Sequence, residues 1–210
     1  MASDTIDYYF TVTSPWSYLG HEPILALAAK HNRKINFKPV DFGTVFAQSG
    51  GLPLPKRAPQ RRRYRMFELQ RWRDYRGTEL NLRPKFFPTD AELANRMAMV
   101  ASDSGQDAGA LTLALMRGCW VNEVNVGERA TCVEIANRAG LDGEALATAA
   151  QSAAGDARAA ELTQDAIDAQ VFGAPTYVIA GEPFWGQDRL ELVARALEGK
   201  AGPYRVEGPV

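Results

Sequence analysis

Ser14 is the residue whose type and position best suit chemistry in this chain. It follows an apolar segment and precedes Pro15, and proline is favoured at the first position of an α-helix. The turn into that helix would hold the Ser14 hydroxyl beside backbone N–H groups without intrahelical partners, at the positive end of the helix dipole. Such a hydroxyl can donate to a bound thiolate and lower the thiol pKa from about 8.5. An ordinary N-cap serine is the alternative, because serine is preferred there.

A second segment that could take part in binding or catalysis lies near the other end of the chain. Gly173-Ala174-Pro175-Thr176 has the form of a proline loop, and Trp185-Gly186-Gln187-Asp188 follows after a short hairpin. If the bond before Pro175 is cis, the Ala174 backbone would face a cleft and pair with a peptide-like ligand as an added strand. A plain turn is the alternative. Asp188 could bind an ammonium group or cap the closing helix.

A basic cluster and several aromatic residues could complete a pocket. The cluster consists of Lys56, Arg57, Arg61, Arg62, Arg63 and Arg65. A solvated helix face is the default interpretation of such a run, although one or two members could grip carboxylates. The aromatic candidates for a substrate pocket are Trp16, Trp72, Phe86, Phe87 and Trp185, with core packing as the alternative for each.

Composition excludes several classes of function. The chain has 210 residues, 46% of them hydrophobic, and a net charge of -1, which argues against nucleic acid or an anionic membrane as its main partner. Without a signal-peptide pattern or an apolar run of roughly 18 residues, it is predicted to be cytoplasmic. No metal-ligand motif, Walker loop or hydrolase elbow occurs, so no metal site is expected. Cys119 and Cys132 are predicted to be buried thiols.

Periodicity predicts strands at both ends of the chain and helices between them. Alternating apolar residues indicate a strand at 6–12, followed by a helix from Pro15 to about His31 and a strand at 35–40 in a parallel pair. A hairpin at 176–185 and a closing helix follow the central block. The helices predicted within that block span 60–76, 89–102 with a Thr89 to Glu92 capping box, 109–118, 128–138, 142–152 and 156–170. The predicted architecture is one α/β domain from residues 1–44 plus 170–210, with an all-helical insertion at 45–169.

Three motifs together resemble a known family. They are Ser14-Pro15-Trp16-Ser17-Tyr18-Leu19-Gly20, Val171-Phe172-Gly173-Ala174-Pro175-Thr176 and Phe184-Trp185-Gly186-Gln187-Asp188-Arg189-Leu190. The chain resembles, over essentially its whole length, the 2-hydroxychromene-2-carboxylate isomerases, which are related to kappa-class glutathione transferases and to DsbA-type thioredoxin folds. Ser14 and Ser17 stand where thioredoxin-type folds carry Cys-x-x-Cys, so a dithiol oxidoreductase is disfavoured.

The resemblance implies a thioredoxin-like fold with a helical insertion, glutathione as cofactor and a homodimer. It also implies roles for single residues. Ser14 would hydrogen-bond the glutathione sulfur, and Ala174 before a cis Pro175 would bind the cysteinyl backbone. Gln187 and Asp188, with the Trp185-Gly186 turn, would hold the γ-glutamyl end, and Lys56 or a neighbouring arginine would face the glycine carboxylate. Gly51 departs from the pattern, because some relatives carry Asn at the matching position.

The implied reaction interconverts 2-hydroxychromene-2-carboxylate and trans-o-hydroxybenzylidenepyruvate, or a related aromatic catabolite. Glutathione thiolate would add reversibly to the conjugated double bond of the substrate, a small aromatic carboxylate in a pocket with Trp16 and Phe87. One alternative is a kappa-type glutathione transferase or peroxidase, which consumes glutathione. The other is a non-catalytic thioredoxin-like binding module.

Overall fold

A four-stranded sheet built from both ends of the chain organises the protein. The computed structural model describes residues 4–206. The sheet has the order β2-β1-β3-β4, and its strands are β1 Thr5–Phe10, β2 Lys34–Pro39, β3 Thr176–Ile179 and β4 Glu182–Trp185. Strands β1 and β2 are parallel, with Ile6 opposite Ile35, whereas β3 pairs antiparallel with both β1 and β4. The predicted parallel pair and hairpin are therefore confirmed.

Nine α-helices occur within residues 4–206. They are α1 Pro15–Lys30, α2 Phe42–Ser49, α3 Pro59–Arg76, α4 Glu92–Asp103, α5 Ala108–Trp120, α6 Arg129–Arg138, α7 Gly143–Ala150, α8 Ala153–Asp168 and α9 Leu190–Leu197. All but α2 match predicted helices within a few residues. The sequence pattern does not predict α2, because the glycines and prolines that lie just beyond its end indicate an irregular loop in this region. The helix begins where the Asp41 carboxylate accepts from the Gly43 N–H at 2.8 Å, and it buries Phe42 and Val45.

The capping box predicted at Thr89 is wrong. Helix α4 begins at Glu92, and no side chain caps its N-cap residue, Ala91. The Thr89 hydroxyl instead donates to the Asn125 side chain at 2.7 Å, and the Asp90 carboxylate accepts from the Glu92 N–H at 2.8 Å. The Thr89 hydroxyl, which the local sequence predicts as a helix cap, is thus hydrogen-bonded to a residue in the distant loop before α6.

One hydrophobic core joins the sheet to the helices. Ile6, Tyr8 and Phe10 of β1 are fully buried and belong to the same cluster as Leu111 and Trp120 of α5. The α/β class predicted from the sequence is confirmed. Among residues 4–206, no helix is long and apolar enough to cross a membrane.

Both cysteines lie in the helical part of this core. Cys119 and Cys132 are buried and unpaired, as predicted. Burial raises the pKa of each thiol to about 12, because the charged form would lose its hydration. Neither thiol is therefore a nucleophile near neutral pH.

Candidate functional site

Ser14 caps the N-terminus of α1. Its Oγ accepts a hydrogen bond from the Ser17 N–H at 3.1 Å, so the N-cap interpretation of this serine is confirmed. Capping uses the oxygen as an acceptor and leaves the hydroxyl proton available to another group. Within the described first turn, Pro15 has no N–H and Ser17 donates to Ser14, which leaves the Trp16 N–H as the open donor. A donor hydroxyl and an open amide therefore lie together at the positive end of a helix.

A cleft of about 570 Å³ opens beside this helix terminus. It contains six of the predicted site residues: Trp16, Ala174, Trp185, Gly186, Gln187 and Asp188. Its remaining lining residues are Arg57, Gln60, Arg61, Tyr64, Arg65, Glu68, Trp72 and Arg189, most of them from α3. Ser14 lies two residues before Trp16 and is only 9% exposed, at the edge of the lining rather than within it. The volume lies in the range of small-molecule sites.

Hydrogen bonds join the proline loop to the turn after β4. The Gly186 N–H donates to the Pro175 carbonyl at 2.9 Å, and the Thr176 hydroxyl donates to the Gly173 carbonyl at 2.7 Å. The Ala174–Pro175 bond is cis. The two motifs that the sequence singled out near the C-terminal end therefore form one wall of the cleft.

Asp188 does not cap α9. Gln187, Asp188 and Arg189 form a 3₁₀ turn, and α9 begins at Leu190 without a side-chain cap. The Asp188 carboxylate pairs with Arg189 at 3.0 Å and lines the cleft. The capping alternative is wrong, and Asp188 belongs to the lining of the cleft instead.

Arg76, at the end of α3, fixes the Gln187 turn and was not singled out by the sequence. Its Nε donates to the Gln187 side-chain oxygen at 2.8 Å, and its Nη2 donates to the Gln187 carbonyl at 2.9 Å. Its guanidinium also lies 5.2 Å from the centre of the Trp72 ring. Gly20 completes the support, because a Cβ there would come within 2.9 Å of the Gln187 Cβ. The two walls of the cleft are thus joined by a bidentate contact.

Phe87 and Lys56 lie outside the lining residues of this cleft. Phe87 packs on Trp120 with ring centres 4.8 Å apart, and the Arg65 guanidinium lies 5.8 Å from its centre. Lys56 is exposed at the end of a 3₁₀ turn, while its neighbour Arg57 lines the cleft. The functional roles of Phe87 and Lys56 stay predictions.

The structure gives a reason for glycine at position 51. A Cβ at Gly51 would lie 2.2 Å from the Phe46 ring. A side chain larger than that of glycine could not enter here unless Phe46 moved.

A larger cleft of about 700 Å³ lies between the ends of β1 and β2 and helices α4 and α8. Thr11 and Thr13 line it, so Ser14 stands in the chain between the two clefts. Its one lining cation, Arg96, pairs with Glu92 and Asp156, which also line it. This cleft holds no uncompensated positive charge among its described lining residues.

The fold agrees with comparisons to known proteins. The family described as "DSBA-like thioredoxin domain" matches residues 5–198. The chain belongs to this family. It is 29% identical over 196 residues to 2-hydroxychromene-2-carboxylate isomerase of Sphingobium xenophagum, covering 92% of this chain and 97% of that protein. It is 26% identical over 208 residues to glutathione S-transferase kappa 1 of Caenorhabditis elegans, covering 92% and 90%.

A solved structure extends the likeness to three dimensions. A 2-hydroxychromene-2-carboxylate isomerase structure superposes with a TM-score of 0.78 at 25% identity, covering 93% of this chain and 95% of that one. The predicted thioredoxin-like fold with a helical insertion is confirmed at the level of this family. The relatives support an enzyme of the isomerase or glutathione-transferase kind.

Proposed function

We propose that the protein is a glutathione-dependent isomerase that interconverts 2-hydroxychromene-2-carboxylate and trans-o-hydroxybenzylidenepyruvate, or a closely related aromatic pair. The observation that carries the proposal is the cleft at the N-terminus of α1, where Trp16 meets Ala174 and the Trp185 to Asp188 turn. The relatives named isomerases support the reaction type. The relative named a glutathione transferase supports the cofactor.

The donors of the cleft fit a thiolate tripeptide. The Ser14 hydroxyl proton and the Trp16 N–H are the donors at the helix terminus, and hydrogen bonds to an anion stabilise its charged form. Ala174 lines the cleft and offers backbone groups to a peptide-like ligand. The Asp188 carboxylate and the Gln187 side chain suit the γ-glutamyl ammonium and carboxylate end. Lys56, or Arg61 in the lining, would meet the glycine carboxylate.

Glutathione, when bound, would supply a thiolate that adds reversibly to the conjugated double bond of the substrate and allows rotation about it. The residues of the chain stabilise the thiolate and orient the tripeptide. Ser14 and Trp16 hold negative charge at the helix terminus, so the thiol proton leaves near neutral pH. Ala174, Gln187 and Asp188 orient the tripeptide. Because addition and expulsion are reverse steps, glutathione is regenerated rather than consumed.

A kappa-type transferase is the second candidate, because a relative bears that name. It would share the cleft but consume one glutathione for each electrophile. Counting thiols during turnover separates the two reactions. Constant thiol with product formation supports the isomerase, whereas loss of one thiol per product supports the transferase.

The first experiment is calorimetric titration of glutathione into the protein, followed by a spectroscopic isomerase assay with and without glutathione. We expect saturable binding with proton release, and turnover only when glutathione is present. S-methylglutathione is the matched control ligand, because it cannot form a thiolate and should bind without proton release. Absence of binding by glutathione would overturn the proposal and favour a module that binds protein partners.

Replacing Arg76 by Gln should weaken glutathione binding about tenfold. Arg76 orients the Gln187 turn through two hydrogen bonds, and losing a charged donor at a half-buried site costs about 1.5–3 kcal/mol. We expect the KM for glutathione to rise while kcat at saturating glutathione changes little, because Arg76 acts through Gln187. Arg73→Gln is the control, since Arg73 lies on the same helix and its side chain pairs with Asp74. If Arg76→Gln lowered kcat by the same factor as the affinity for glutathione, the positioning role of Arg76 would be contradicted.

A further inference from the structure

Two partly buried arginines of the cleft have no carboxylate partner among the described residues. Arg65 and Arg57 are partly buried and line the cleft. Within residues 4–206, the hydrogen bonds of their guanidinium groups go to the Met66 sulfur at 3.9 Å and to the Leu52 carbonyl at 2.7 Å. Neither group forms a salt bridge in that part of the chain. Partial burial removes water from a cation, so an anionic ligand in the cleft would stabilise these two groups.

The nearby acids are already engaged. Glu68, on the same helix, pairs with Arg71, and Asp188, on the opposite wall, pairs with Arg189. Burial, and then the charge of Arg57, lowers the pKa of Arg65 to about 10. Burial likewise lowers the pKa of Arg57, with a smaller contribution from Arg61. The α3 side of the cleft therefore holds crowded positive charge that an anion would relieve.

These arginines and the predicted tripeptide wall come from different elements of the fold. Ala174 and the turn from Trp185 to Asp188 form one side, and α3 with Arg57 forms the other. Trp16 and Trp72 add aromatic surface to the same cleft. A flat, unsaturated ring system suits the aromatic surface, and a carboxylate suits a guanidinium pair.

We propose that Arg65, assisted by Arg57, binds the carboxylate of an aryl carboxylate and so selects acidic over neutral second substrates. This inference rests on the proposed function in that the acid is the partner of glutathione in the same cleft. The larger cleft is a poorer place for that acid, since its Arg96 is already paired with two carboxylates. The glycine carboxylate of glutathione would bind to Lys56 or Arg61 instead.

The experiment compares trans-cinnamate with cinnamamide, which has the same conjugated aryl shape without the charge. Binding is followed by calorimetry and by tryptophan fluorescence, because Trp16 and Trp72 line the cleft. The variants are Arg65→Gln, Arg65→Lys and the control Arg63→Gln, in which an exposed arginine of the same helix is changed. Circular dichroism establishes that each variant is folded.

We expect the wild type to bind cinnamate about tenfold or more tightly than cinnamamide, and Arg65→Gln to remove that preference. Arg65→Lys should restore part of it, because lysine keeps the charge but not the planar fork. Arg63→Gln should leave binding of both probes unchanged. Glutathione affinity should change less than about twofold in Arg65→Gln, since the tripeptide is assigned to other groups.

Equal binding of the two probes, or cinnamate binding unaffected by Arg65→Gln, would overturn the inference. A parallel loss of glutathione affinity in Arg65→Gln would also overturn it, because the arginine would then hold a glutathione carboxylate. The proposed function is tested separately by glutathione binding to the wild type. A wild type that selects cinnamate through Arg65 but does not bind glutathione would retain the acid site and lose the isomerase mechanism.

Discussion

Replacing Ser14 by Ala should lower isomerase turnover at neutral pH by about 10- to 100-fold and raise the pKa of bound glutathione by about one to two units. The removed hydroxyl is a donor to the thiolate, and a hydrogen bond to a charged group is worth about 1.5–3 kcal/mol. The deficit should shrink as pH rises, because the thiolate then forms without help. The measurements are turnover against pH and ultraviolet titration of the bound thiolate.

Two variants separate this effect from loss of the helix cap. Ser152 caps α8 as Ser14 caps α1, each accepting from the N–H three residues on at 3.1 Å. Ser152→Ala should cost about 1 kcal/mol of stability and leave turnover unchanged. Ser14→Thr keeps both cap and hydroxyl and should retain most activity. If Ser14→Ala titrates its bound thiol like the wild type, the hydroxyl has no role in thiolate formation.

The second prediction is that the folded protein loses stability at low pH because of His21. This side chain is fully buried, and its Nε2 donates to the Gly109 carbonyl at 3.0 Å, which leaves Nδ1 as the acceptor facing the Tyr8 hydroxyl at 3.4 Å. Burial lowers the pKa of His21 to about 4, only partly opposed by the bond to Gly109. The ring therefore joins α1 to α5 in its neutral form.

The direction of the stability change follows from which state binds the proton. The unfolded chain takes up a proton on His21 near pH 6.5, whereas the folded protein does so only near pH 4. Stability contributed by neutral His21 is complete above pH 6.5 and is lost as pH falls towards 4. The expected loss across that window is about 3 kcal/mol. Below pH 4 both states are protonated and the contribution becomes flat.

Proton NMR of the histidine rings tests this directly in the unaltered protein. The sequence has two histidines, and His31→Gln assigns their signals. Denaturant unfolding of the wild type and His21→Gln between pH 7.5 and 4 provides the energetic test. The difference in unfolding free energy between the two proteins should change by about 3 kcal/mol in favour of the variant at low pH. A His21 midpoint near 6.5 would contradict the prediction.

Local patterns predicted the elements near the site well. The period-two apolar residues of β1 and the Pro15 helix start are local signals, and both elements form where expected. Turn residues between β3 and β4 likewise indicated the hairpin. These features depend on backbone preferences and caps within a few residues, which one sequence contains.

Local patterns failed where a distant segment supplied the partner. Thr89 suited a capping box until Asn125, 36 residues away, offered its side chain. Asp188 fails as a helix cap for a different reason, since it lies in a 3₁₀ turn and pairs with its chain neighbour Arg189. The sequence pattern does not reveal helix α2, because the burial of Phe42 depends on packing against other elements. Neither competition between partners nor burial by remote residues can be judged from spacing alone.

The sequence by itself determined the two-ended α/β plan, the serines in place of a dithiol, and the three motifs that placed Ser14, Ala174 and the Gln187 turn at one site. Tertiary structure alone decided which arginines take part. Arg63 is exposed, Arg65 lines the cleft without a carboxylate partner among residues 4–206, and the Arg76 side chain donates to Gln187, 111 residues away. These arginines share one helix and similar local sequence. Their different surroundings arise because burial and charge are set by whichever distant segments pack against each face of the helix.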